Sequence, residues 1–226
     1  MGEGSRGLKK QNGGNMARTL RFVALGCLLM AVVGAAGCSQ LDPVPVANFN
    51  WTPSDPLARS MVQFSDLSTD SGFLGGGGVR SWTWDFGDSG SSSSQSPQHE
   101  YERSGVYTVR LTVKDESGGE ATSQKSITVR PSLDGVWSGT LDNNGVPLGL
   151  VLYIQHSASG GIGGTGSWGT LSLPIFSASL AGNQVTLVFT GNRVLTGTLD
   201  YTERGMSGTW SRNGVIGFGW NVLLQG

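Results

Sequence analysis

At 226 residues the chain has room for one large or two small domains, and it is built largely from small residues, with 37 Gly and only 14% of positions charged. Each Gly inside a helix costs about 1 kcal/mol relative to Ala, so long amphipathic helices are excluded, while the Ser, Thr, Val and aromatic residues that fill much of the remainder suit strands and turns. The formal net charge of −1 divides unevenly: residues 1–37 carry five Lys/Arg and one acid, Glu3, whereas the chain from Cys38 onward carries ten Lys/Arg and fifteen Asp/Glu, near −5, with no clustered basic residues of the kind that nucleic acid requires.

Residues 1–15 are polar and Gly-rich, and an export signal begins at Met16, which is therefore the candidate start of the chain. Arg18 and Arg21 form its positive segment, Phe22 to Val33 its apolar core and Gly34-Ala35-Ala36-Gly37 a small-residue exit. The apolar run ends at Ala36, short of the roughly 20 residues a spanning helix needs. Ala35-Ala36-Gly37-Cys38 resembles the lipobox of bacterial lipoproteins, with Ala35 where that pattern usually has Leu. The resemblance implies cleavage before Cys38, thioether lipidation of its sulfur and acylation of the new N-terminus, hence a cell-envelope lipoprotein held to the membrane by its lipid anchor. Several acyl chains hold stably, at about 0.8 kcal/mol per buried methylene. Ser39 after the cysteine, by the same resemblance, favours the outer membrane of a cell with two. The only other cysteine, Cys27, lies in the leader, so the mature chain has no internal disulfide. Residues 38–45 form a tether that Pro43 and Pro45 keep extended.

Residues 46–130 alternate as strands between polar turns. Val46 to Trp51, Met61 to Phe64, Arg80 to Phe86, Val106 to Val113 and Ala121 to Val129 are the expected strands, with Trp82, Trp84 and Phe86 on one face of the third. Trp84-Asp85-Phe86-Gly87-Asp88 resembles the signature of the PKD domain, an immunoglobulin-like β-sandwich. Pro97, His99 and Tyr101 match that family's P-x-H-x-Y stretch, and Gly105, Tyr107, Val109, Leu111 and Val113 match its G-x-Y-x-V-x-L-x-V strand. The resemblance implies a spacer or binding module. Trp84 and Phe86 are expected in the core, with Asp85 and Asp88 bracing the turn. Two departures stand out: Ser89 replaces the usual Gly after the second Asp, and Gly75–Gly78 lengthens a loop. Some PKD domains hold calcium near this loop, where Asp66 and Asp70 are the counterparts here. A hard cation needs six or more oxygen ligands, so with the loop remodelled no metal site is expected.

After Arg130-Pro131-Ser132, read as an exposed linker open to proteases, residues 133–226 contain seven charged side chains and nineteen Gly. Expected strands are 135–142, 148–156, 165–173, 175–181, 184–190, 193–201, 206–212 and 215–224, joined at Gly182-Asn183, Gly191-Asn192, Glu203-Arg204-Gly205 and Asn213-Gly214. A motif recurs at Ser138-Gly-Thr-Leu141, Thr196-Gly-Thr-Leu199 and Ser207-Gly-Thr-Trp210. Eight sequential strands close most economically into an up-and-down barrel, which leaves no edge. Gly135-Val136-Trp137 resembles the G-x-W of lipocalins, and Trp137-Ser-Gly-Thr140 is similar to avidin-like barrels. The expected architecture is thus all-β: an immunoglobulin-like sandwich followed by a small antiparallel up-and-down β-barrel.

Gly161, Gly163 and Gly166 spell G-x-G-x-x-G, but a dinucleotide site needs a helix after it, and Ser167-Trp-Gly-Thr-Leu reads as strand; the glycines are expected to form a flexible hairpin loop and the chain to use no cofactor. His156 stands without Cys, Asp or Glu beside it in sequence. With two histidines, no G-x-S-x-G elbow and no zinc motif, the chain is expected not to be an enzyme. A binding or scaffolding module for a glycan, a protein or a small apolar ligand is the leading expectation; a structural subunit of an envelope complex and an envelope hydrolase are the alternatives. Trp168 and Trp210 stand in Gly-Ser-Trp and Gly-Thr-Trp. They are the candidate ligand-binding residues, because a neighbouring Gly leaves space beside an aromatic face.

Overall fold

The computed structural model describes residues 44–71 and 78–225. The expected export leader, Cys38 and most of the Gly75–Gly78 insertion lie outside them. The described chain is all strand and turn, and none of its helices is long and apolar enough to cross a membrane.

The first seven strands make the sandwich: β1 (Phe49–Thr52), β2 (Met61–Asp66), β3 (Val79–Asp85), β4 (Ser91–Ser92), β5 (Gln98–Glu100), β6 (Gly105–Asp115) and β7 (Glu120–Val129). One sheet runs β1-β2-β5 and the other β4-β3-β6-β7. The alternation of β6 is the cause of its facing: Val109, Leu111 and Val113 are fully buried and the residues between them are not. These side chains meet Phe49, Phe64, Trp84, Phe86 and Tyr101 between the sheets. Trp84 is edge-on to Phe49 with centroids 5.2 Å apart, and its indole N–H donates to the Ser94 carbonyl at 2.9 Å, which satisfies the one polar atom this side chain buries. Strands β4 and β5 are additions to the five expected; at two and three residues they are too short to show a period.

The other eight strands close into an up-and-down barrel: β8 (Gly135–Asn143), β9 (Val146–His156), β10 (Ile162–Trp168), β11 (Leu171–Ala181), β12 (Gln184–Phe189), β13 (Arg193–Leu199), β14 (Gly205–Arg212) and β15 (Val215–Leu224). Neighbours pair antiparallel throughout, and β15 returns to β8 with Trp220 opposite Leu141. Closure leaves no unpaired edge. Inward residues fill the interior, among them Trp137, Leu150, Leu152, Leu187, Phe189 and Trp220. The recurring Gly of the S/T-Gly-Thr motif has a reason here: a Cβ at Gly139, Gly197 or Gly208 would run into the backbone carbonyl of Asn221, Ser207 or Thr196 on the next strand.

Two expectations in this half are corrected. The segment 165–173 is not one strand but the end of β10 and the start of β11, turned at Gly169 with φ +58. The flexible loop read over Gly161–Gly166 is confined to the turn before Ile162, and Gly163, Gly164 and Gly166 belong to β10. Packing overrides the flexibility of this Gly run, since β10 is hydrogen-bonded to β9 along its whole length.

The connection at 130–132 is also not an open linker. Arg130 N–H donates to the Pro56 carbonyl and its own carbonyl accepts from Ala58 N–H, both at 2.8 Å, and Ser132 is 1% exposed. Arg130 also reaches Asp55 at 2.9 Å and the Ala158 carbonyl at 3.0 Å. Glu203, from the β13–β14 hairpin, accepts the Ser104 N–H at 2.6 Å. Hairpins β9–β10 and β13–β14 thus touch the sandwich, and the four hairpins at the other end of the barrel point away from it.

Candidate ligand-binding site

Each aspartate of the sandwich motif spends one oxygen on its own turn. Asp85 accepts from Gly87 N–H and Asp88 from Gly90 N–H, each at 2.9 Å. The second Asp88 oxygen is 2.8 Å from His99 Nε2. The His99 ring lies flat on Phe86, with centroids 4.1 Å apart, and edge-on to Tyr101. The Tyr101 hydroxyl donates to the Phe86 carbonyl at 3.2 Å; burial, with the Asp88 charge next, pushes that phenol well above its ordinary value, so it acts as a fixed donor. Tyr107 stacks on Tyr101 at 4.4 Å and donates to the Arg103 carbonyl. Gly105 opens the strand that carries it. At Gly87, φ is +83 and a Cβ would lie 2.7 Å from the Thr108 carbonyl oxygen. These side chains are tied to the turn and to one another, which is the arrangement of a brace and not of an acid–base pair.

Asp66 accepts from Trp82 Nε1 at 2.7 Å, from Ser68 N–H at 2.9 Å and from Gln95 Nε2 at 3.2 Å. Among the described residues no group of three or more His, Cys, Asp or Glu could hold a metal ion. His156 does have a carboxylate near it in space: Asp134 accepts its backbone N–H at 3.0 Å. Its ring Nδ1 accepts from Leu133 N–H at 3.2 Å. Burial, reinforced by Arg130, holds this imidazole below its ordinary value.

The two candidate tryptophans meet at the barrel end away from the sandwich. Both lie on inward-facing positions and line a single open cavity of about 390 Å³, together with Leu141, Leu148, Arg193 and Arg212. Trp168 forms its floor: 8% exposed, it is edge-on to Phe189 with centroids 5.2 Å apart. Trp210 forms its wall, half-buried, with Nε1 donating to the Asp142 carbonyl at 2.7 Å. That bond restrains the indole, which lines the cavity.

The free space expected beside Gly166 and Gly208 is not there. A Cβ on Gly166 would lie 2.6 Å from the Phe189 ring, and one on Gly208 would strike the backbone of Thr196. Room in the interior is taken by rings and backbone, as close packing requires, and the cavity lies beyond the last packed layer. Arg193 and Arg212 were not picked out by sequence reasoning. The signal that could have found them is their strand phase: two residues from Leu195 and Trp210, they continue the inward row of β13 and β14.

Residues 42–130 match the family model described as the PKD domain. Collagenase ColQ1 of Bacillus cereus (strain Q1) is 38% identical over 125 residues, which is 53% of this chain and 12% of the collagenase; the chain therefore spans only about an eighth of that relative's length. A crystal structure of the PKD1 domain from the Vibrio cholerae metalloprotease PrtV aligns at 33% identity over 39% of this chain and 99% of its own, with a TM-score of 0.34. A solved structure described under carbohydrate-binding modules from the β-sandwich superfamily aligns over 81% of this chain and 85% of its own at 16% identity and TM-score 0.37, a likeness too slight to bear on ligands.

Proposed function

We propose that the chain, whose residues 42–130 match the PKD-domain family model, is an accessory glycan-binding lipoprotein of the bacterial cell envelope, anchored through Cys38. In this reading 1–37 is the removed signal, 38–45 the tether, 46–130 the spacer and 133–226 the binding module. The observation that carries it is the cavity bounded by Trp168 and Trp210 at the barrel end remote from the sandwich. A sugar presents an apolar ring face that stacks on a fixed indole, and small-ligand sites combine such walls with a few polar groups. The opposite end of the barrel is held against the sandwich by Glu203 and Ala158.

A second reading, a structural subunit of an envelope complex, is favoured by outward-facing apolar side chains on the barrel wall, Phe176 at 78% and Ile216 at 76% exposed. Titrating the purified chain with a panel of oligosaccharides while following Trp emission separates the two. Saturable quenching that Trp210→Ala abolishes supports the glycan site. A panel without response, together with a stoichiometric protein partner in native mass spectrometry, supports the subunit. The anchor is tested independently: Cys38→Ser releases the protein from the membrane fraction, and a mature N-terminus without lipid on the wild-type chain rejects it.

A further inference from the structure

The inward rows of β13 and β14 end in a like-charged pair. Leu195 stands opposite Trp210, and one step further toward the mouth Arg193 stands directly opposite Arg212. Like charges placed opposite each other across an antiparallel pair destabilise it, and no acid relieves this one. Arg193 reaches only the Thr190 carbonyl, at 3.4 Å, and neither guanidinium is in an ion pair with a described residue. Of the seven charged residues in the second module, Asp134, Asp200, Glu203 and Arg204 sit at the sandwich end of the barrel, which leaves Asp142, Arg193 and Arg212 at the mouth. Asp142 is occupied by its own hairpin, accepting from Gly145 N–H at 2.6 Å. The mouth of an otherwise acidic protein is therefore positive, over an aromatic floor.

We propose that the ligand of this mouth is a carboxylated sugar, a uronic acid at the end of an oligosaccharide, whose ring stacks on Trp210 while its carboxylate is held between Arg193 and Arg212. The proposal rests on the glycan reading of the same cavity and adds the charge. A guanidinium offers a planar fork of donors that matches a carboxylate in bidentate fashion, and a negative charge set between two of them offsets much of their mutual repulsion. A neutral sugar or a purely apolar chain would leave both arginines uncompensated as it displaced their water, which is the costly arrangement. The floor made by Trp168 and Leu141, buried to 8% and 2% exposure, closes the cavity below, so the ligand enters by its end.

The test is calorimetric titration of the purified full chain with trigalacturonate, with its methyl ester as a neutral isostere, and with palmitate as an anion without a sugar ring. The acid is expected to bind at least tenfold more tightly than the ester, with an affinity that falls as salt rises. Arg193→Gln and Arg212→Gln are each expected to lose at least tenfold in affinity for the acid while the melting temperature stays equal or rises, since each removes a repulsion. A purely structural role for these arginines predicts the reverse. Equal binding of acid and ester overturns the inference and leaves the glycan reading standing. Binding of palmitate in preference to the sugar acid overturns both, as does the absence of any saccharide binding.

Discussion

Arg59 and Glu203 lie 144 residues apart in sequence and meet where the sandwich touches the barrel, with Nη1 and Oε2 3.9 Å apart and both side chains largely buried. Arg59 also donates to the Ser132 carbonyl at 2.7 Å, so one guanidinium holds the β13–β14 hairpin and the connecting segment together. Both residues have a left-handed backbone, φ +59 and +56, a conformation that costs a non-Gly residue free energy and persists where surrounding contacts hold it. Burial lowers the pKa of the guanidinium. Removing one partner of a buried pair leaves the other uncompensated, at a cost of about 3 kcal/mol. Glu203→Ala is therefore expected to lower the melting temperature and to open the 130–132 segment to a non-specific protease such as proteinase K, with the wild-type chain expected to resist cutting there. Limited proteolysis with mass mapping of the fragments reads both outcomes.

Trp84 touches both faces of the sandwich core and is fully buried. Truncation of such an aromatic costs about 3–5 kcal/mol, a large fraction of what a small domain has. Chemical denaturation of Trp84→Ala should show loss of the sandwich transition, with Trp84→Phe retaining most of it. An unchanged midpoint for the alanine variant would contradict the packing.

Ser89 holds a φ of +78, at a position where the PKD motif it resembles usually has Gly. The left-handed region costs an L-residue about 1–2 kcal/mol, and the greater freedom of an unfolded Gly returns part of that. Ser89→Gly is expected to stabilise the protein by up to about 1 kcal/mol, read as a small rise in melting temperature.

His156 gives a pH dependence with a definite sign. Its folded pKa is depressed, because burial and Arg130 disfavour the imidazolium and Nδ1 must stay unprotonated to accept from Leu133. The unfolded chain then binds the proton first, so the stabilisation is present above the ordinary value of about 6.5 and is lost as pH falls through the lower folded value. Melting temperatures measured from pH 7.5 downward should drop more steeply for the wild-type chain than for His156→Asn, whose side-chain oxygen can accept the same bond without titrating.

What could be read from the sequence was whatever depends on neighbours along the chain. Period-two alternation in Val106 to Val113 determined which side chains of β6 point inward, and Asn213-Gly214 determined a hairpin, because φ of +52 and +80 suits those two residues. The short strands β4 and β5 and the break at Gly169 were not legible: two or three residues carry no period, and a single Gly inside an apolar run does not say whether the chain turns or continues.

The candidate site shows the same division. Trp168 and Trp210 stood out by composition, and the space expected beside their glycines was wrong because occupancy belongs to rings and backbone arriving from other strands. Arg193 and Arg212 become a pair only through the register of β13 against β14, and Arg59 meets Glu203 only once the barrel has closed. The sequence alone determined an all-β chain and its turns, since local sterics and alternation suffice for those, and its Trp84–Asp88 motif showed the likeness of residues 42–130 to the PKD domain. Which side chains share the mouth, and which charges are left facing each other there, was decided by tertiary structure, because strand register and barrel closure are properties of contacts between distant segments.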